Sequence, residues 1–98
     1  MQVQNKLRSM CHFVIDAGNT CVKAAVLVDG MVTDMCRSNS VDADVIRLAS
    51  SHDVSCGILS SVRELDPAEL ALIESLPFRM LRLSASLPLP IRIGYSTP

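Results

Sequence analysis

The 98-residue chain has no tryptophan, and its aromatic residues amount to only 3%. With so few large anchors, a core has to be built from aliphatic side chains, which supply most of the 49% hydrophobic fraction. An excess of charge is also missing. Nine Lys and Arg stand against ten Asp and Glu, both signs are scattered, and the net charge is −1. That excludes the basic field that grips a nucleic-acid backbone. Long apolar runs are absent too: Ala24 to Val28 and Ile58-Leu59 are strand-sized, far below the ~20 residues of a membrane-crossing helix. Lys6 and Arg8 are not followed by an apolar h-region, so no secretory signal is read and the expected location is cytoplasmic.

Cys-x-x-Cys pairs are lacking. Cys11, Cys21, Cys36 and Cys56 lie at wide intervals without metal-ligand spacing, and without export they are expected to be reduced thiols. His12 and His52 stand alone, as strand-edge or surface residues rather than ligands. A chain this short makes one small domain, burying about two-thirds of its unfolded surface. Its mean hydropathy of +0.34 fits a fragment that exposes an interface with a missing half, and equally a tightly packed whole domain.

What is present reads as alternating strands and helices. Residues 1–10 lack periodicity and are read as a flexible leader, with the folded part beginning near Cys11. An apolar strand to Ala17 and a second from Cys21 to Val28 precede Asp29-Gly30, a strong hairpin signal. A third, edge-like strand runs from Met31 to about Arg37. Ser40 is a candidate N-cap for a short amphipathic helix with Val45, Leu48 and Ala49 on one face. Val54 to Val62 is a fourth strand, apolar enough for the middle of a sheet. Asp66-Pro67-Ala68-Glu69 spells a capping box with Pro at the first helical position, opening a helix to about Leu76. Phe78 to Leu83 is a fifth strand, and Leu87-Pro88-Leu89-Pro90 an extended linker. The order is β-β-β-α-β-α-β, with strands four and five parallel to their neighbours through right-handed crossovers.

The chemistry concentrates between the first two strands, at Asp16-Ala17-Gly18-Asn19-Thr20-Cys21-Val22-Lys23. Gly18-Asn19 is expected to turn with φ > 0 and to offer N–H groups to an anion. The Thr20 hydroxyl adds a donor. Asp16, at a strand's carboxyl end, stands where Mg²⁺ can be held beside phosphates, and Lys23 can reach the same oxygens. An ordinary hairpin with a solvated Asp and Lys has the same spacing, which alone does not choose between the two. Ser60-Ser61, ending a central strand, can touch a ligand or merely cap backbone groups. Asp53, Asp66 and Glu69 read as turn and cap residues, and Arg63-Glu64 as a solvated loop pair.

The pattern Asp16-x-Gly18-Asn19-Thr20-x-x-Lys23 after an apolar strand resembles the first phosphate motif of type III pantothenate kinases, in the actin, sugar-kinase and heat-shock ATPase superfamily. Ile58-Leu59-Ser60-Ser61-Val62 resembles that family's strand ending in Ser-Val. Pro90 to Pro98 resembles the segment leading into its Gly-x-Asp-Arg motif. The three matches follow the family's order. The resemblance implies an α/β fold, with residues 11–98 as the amino-terminal part of an actin-like ATPase (ribonuclease H-like) domain, a mixed sheet with two crossover helices that ends before the substrate and second phosphate motifs.

By the same resemblance, the full-length protein is an ATP-dependent kinase that phosphorylates pantothenate in the first step of coenzyme A synthesis. ATP, Mg²⁺ and a monovalent cation (K⁺ or NH₄⁺) are implied, as is a homodimer. The residues from Asp16 to Lys23 would bind ATP phosphates, Asp16 would hold the metal, and Tyr95 would line the pantothenate pocket. The general base is expected beyond Pro98, so the 98 residues alone are expected to be inactive. Two other functions share these residues: a non-catalytic relative acting as a transcriptional accessory factor, and a small α/β interaction module whose Gly-Asn turn is only a turn.

Overall fold

The computed structural model describes residues 10–83. The segment read as a leader, except for Met10, lies outside the described residues, as do the proline-rich linker and the Tyr95 segment. Five strands and two helices follow one another as β1 (Cys11–Ala17), β2 (Val22–Val28), β3 (Met31–Ser38), α1 (Ala43–Ser50), β4 (Cys56–Ser61), α2 (Pro67–Glu74) and β5 (Arg79–Leu83). They form one mixed sheet in the order β3-β2-β1-β4-β5. The β1/β2 and β2/β3 pairs are antiparallel, whereas β4 lies parallel to both β1 and β5. This small α/β arrangement has the expected element order and is consistent with the amino-terminal part of an actin-like ATPase domain.

Topology explains where the core lies. Both crossovers, β3 to β4 and β4 to β5, step in the same direction along the sheet, so right-handed connections put both helices on one face. That face carries Phe13, Ile15 and Ala17 of β1, Val22, Ala24 and Val26 of β2, and Leu59 of β4. Val45 and Ala49 of α1 and Ile73 of α2 pack into the same cluster. The two-residue period of β1 is complete, with every odd residue buried and every even one half-buried. The even residues Val14 and Asp16 therefore point to the opposite face, along with Lys23 and Ala25 of β2 and Ile58 and Ser60 of β4.

Close packing at the centre depends on Gly57. A Cβ there would stand 2.7 Å from the Phe13 carbonyl oxygen and 3.2 Å from the Phe78 ring, and would overlap the Met80 sulfur. Its absence lets Phe78 meet Phe13 edge to face, with centroids 6.1 Å apart and planes at 80°.

Several local expectations are corrected. Asp42, not Ser40, caps α1: its carboxylate accepts from the Asp44 and Val45 amides at 3.1 and 3.2 Å. The Ser38 hydroxyl donates to the same carboxylate and is the main reason that Asp42 titrates below the ordinary carboxylate range. Positive φ occurs at Asp29 (53°) and Gly30 (84°) among the described residues, and not at Gly18 or Asn19. Four residues, 18–21, connect β1 to β2. A connection of that length reverses direction without the left-handed backbone that a two-residue turn requires. Cys21 therefore lies in the loop rather than in β2. The other ends shift by a residue or two, within ordinary helix and strand fraying. The four cysteines are free thiols.

Candidate functional site

Parallel pairing of β1 with β4 brings two carboxyl ends to one edge of the sheet. Asp16 lies opposite Ser60, and Ala17 opposite Ser61. Antiparallel pairing on the other side sets Asp16 directly across from Lys23. One row of the sheet thus reads Lys23, Asp16, Ser60 across β2, β1 and β4, on the face away from the helices. Asp16 is half-buried and Lys23 exposed. No salt bridge joins them among the described residues, so both heads are available to a ligand.

Next to that row stands the loop of residues 18–21. The Gly18 amide donates to the Cys21 carbonyl at 2.9 Å and closes the loop on itself. The amides of Asn19, Thr20 and Cys21 have no protein acceptor among the described residues, and Asn19 and Thr20 are exposed. Unpaired main-chain N–H groups in a turn are donors that an anion can use. Of the residues picked from sequence, Asp16, Gly18, Asn19, Thr20, Cys21 and Lys23 come together here. Ala17 and Val22 do not face the site with their side chains; they are buried in the core and act by fixing the register beneath it. Tyr95 lies outside the described residues.

Ser61 does not reach toward a ligand. Its hydroxyl donates to the Arg63 carbonyl at 2.5 Å and accepts from the Arg63 amide at 3.2 Å, so it shapes the bend after β4. Ser60 makes no such bond among the described residues and remains in the Asp16 row.

Arg63 is not a solvated loop residue. Its Nη1 and Nη2 donate to Glu69 Oε1 and Oε2 at 2.9 and 2.8 Å, and its Nε donates to the Gly18 carbonyl at 2.9 Å. Nη1 also reaches the Glu64 carbonyl at 3.1 Å. Glu69 completes the capping box at the start of α2, and it also accepts from the Val41 amide at 2.9 Å and the Asp66 amide at 3.0 Å. The Arg63 hydrogen bond holds the Glu69 carboxyl at about 2, against an ordinary 4.5, with the backbone donors helping. The same contact raises Arg63 above its ordinary value. Residue spacing carries no sign of this pair; only the sheet register, which seats the end of β4 beside the β1–β2 loop, brings Arg63 to Gly18.

No group of three or more His, Cys, Asp or Glu able to hold a metal occurs among the described residues. A Mg²⁺ arriving with phosphates asks for less, since it usually binds through one or two carboxylates and keeps its remaining positions for phosphate and water. A half-buried Asp16 beside the Ser60 hydroxyl fits that demand.

No family model matches the chain. The chain is similar to two type III pantothenate kinases. That of Phocaeicola vulgatus is 31% identical over 88 residues, covering 89% of this chain and 36% of the relative. That of Bacteroides fragilis is 28% identical over 88 residues, with the same shares. The relationship is a distant homology, and the chain spans about a third of the length of these curated relatives. Among the described residues no helix is long and apolar enough to cross a membrane.

Proposed function

We propose that residues 16–23 form the phosphate-binding hairpin of a pantothenate kinase, and that residues 11–98 are the amino-terminal part of its actin-like ATPase domain, preceded by a leader. The observation that carries this reading is the row Lys23-Asp16-Ser60 beside the unpaired amides of Asn19, Thr20 and Cys21. The 31% identity to a type III pantothenate kinase supports the choice of pantothenate as phosphoryl acceptor and ATP as donor.

In this reading the Asn19, Thr20 and Cys21 amides and the Thr20 hydroxyl orient the phosphates of ATP. Lys23 balances charge on the phosphoryl oxygens. Asp16 would hold Mg²⁺, which when bound would supply charge neutralisation at the phosphates. The protein's contribution is positioning and charge neutralisation, with little covalent chemistry of its own. No described residue is assigned as the base for the pantothenate hydroxyl. That role, the pantothenate contact of Tyr95, the monovalent cation and a homodimer are carried by the family resemblance.

The test is a titration of the ¹⁵N-labelled chain with Mg·ATP, followed by its amide signals. Movement concentrated at Asn19, Thr20 and Cys21 is expected. If those signals stay still while Mg·ATP reaches millimolar concentration, the hairpin is only a turn.

A further inference from the structure

We infer that Arg63 is a positioning residue for the phosphate loop, holding the Gly18 carbonyl so that the loop amides face outward. This inference rests on the reading of residues 16–23 as a phosphate hairpin.

The geometry is that of one planar peptide. The Gly18 carbonyl and the Asn19 N–H belong to the same trans unit and so point in opposite directions. Pinning the carbonyl on Arg63 Nε at 2.9 Å therefore aims the Asn19 N–H away from Arg63, off the end of the loop. Without that bond the unit is free to rotate, and glycine makes such rotation inexpensive because it has no Cβ. A flipped unit would present an oxygen, not a hydrogen, to a phosphate. The Gly18 N–H is already committed to Cys21, so Arg63 fixes the half of Gly18 that the loop leaves open.

Arg63 suits this task because it is itself immobilised. Glu69 takes two donors of the fork, the Glu64 carbonyl takes another, and Nε is left for Gly18. Glu69 in turn is anchored by the Val41 and Asp66 amides. The neighbouring carboxylate also cancels the charge of Arg63, so the arginine acts on a phosphate through the loop's shape and not through its own field. Lysine cannot substitute, since a single ammonium cannot grip Glu69 bidentately and reach Gly18 as well.

The experiment compares Arg63→Lys and Arg63→Gln with the unsubstituted chain, by amide exchange and by Mg·ATP titration. The Gly18 amide is read against the Ile15 amide of β1. General destabilisation moves both together, whereas loss of a loop clamp moves Gly18 further. In Arg63→Lys, Gly18 exchange is expected to rise about tenfold relative to Ile15, as for loss of one charge-assisted hydrogen bond. A shifted Asn19 amide signal and Mg·ATP affinity about tenfold weaker are expected with it. If Arg63→Lys unfolds, Arg63→Gln is read in the same way. Proportional changes at Gly18 and Ile15, or an unmoved Asn19 signal, overturn the inference whatever the nucleotide does. An unsubstituted chain whose loop amides ignore Mg·ATP overturns the phosphate reading instead, and the exchange ratio still reports whether Arg63 clamps the loop.

Discussion

Arg63 and Glu69 meet as two forks, with Nη1 to Oε1 at 2.9 Å and Nη2 to Oε2 at 2.8 Å, around a carboxylate that is 3% exposed. Removing the arginine leaves that carboxylate buried with only backbone donors. Arg63→Ala is therefore expected to cost about 3 kcal/mol, the low end for breaking a buried pair, because the Arg63 side chain keeps 23% of its surface in water. Urea unfolding measures the cost. A loss below about 1 kcal/mol would class the contact with ordinary surface ion pairs.

The same carboxylate predicts an acid response. Its folded value of about 2 lies below the ordinary 4.5, so its contribution is fully present above pH 4.5 and is lost as the pH falls toward 2. Glu69→Gln should be less stable at neutral pH and should lose stability less steeply across that window. Part of the acid slope should survive, because Asp42 is lowered as well. Identical slopes in the two proteins would show that Glu69 does not contribute to the pH dependence.

Gly57→Ala tests the packing between β1 and β4. The added methyl would sit 2.7 Å from the Phe13 carbonyl, a backbone atom that the sheet cannot easily move. Destabilisation by about 2–3 kcal/mol is expected, within the range for an overpacked core. Thermal unfolding reads it, and an unchanged melting temperature would mean that the strands separate freely.

Lys23 and Asp16 should separate charge from metal. Lys23 is exposed, so Lys23→Met is expected to leave the urea midpoint in place while weakening Mg·ATP binding about tenfold, the loss of one charge-assisted contact. Asp16→Asn should bind ATP equally well with and without Mg²⁺. A Mg²⁺ effect that persists in Asp16→Asn would move the metal away from this carboxylate.

Much of the fold was legible because its signals are local. Asp29-Gly30 and the Asp66-Pro67-Ala68-Glu69 box state their conformations within a few residues, and the apolar runs between them have strand length. The loop was harder. Gly18 and Asn19 suggested a positive-φ turn, yet the connection has four residues and needs none. Ser40 was a plausible cap, but Asp42 is nearer to Ala43 and has a stronger acceptor. Arg63 was misread for a different reason: its bond to Gly18 joins residues 45 positions apart, and no short-range pattern carries that information. Asp16, Lys23 and Ser60 were each picked out along the chain, but only the strand register aligns them in a row.

The tie between Gly18 and Arg63 also bears on how the molecule assembles. The β1–β2–β3 meander can pair early, since each strand meets the next in sequence, whereas contacts spanning 28 residues at Val41 and 45 at Gly18 must await chain closure. The loop thus takes its final shape only after β4 and α2 have docked. On the proposed phosphate reading, a partly folded chain would hold the right residues on a hairpin not yet shaped for a nucleotide, so ligand capture would report completed folding. Pulsed exchange during refolding should show the Ile15 amide, which the strand alternation turns toward β4, protected later than the Val14 amide, which it turns toward β2.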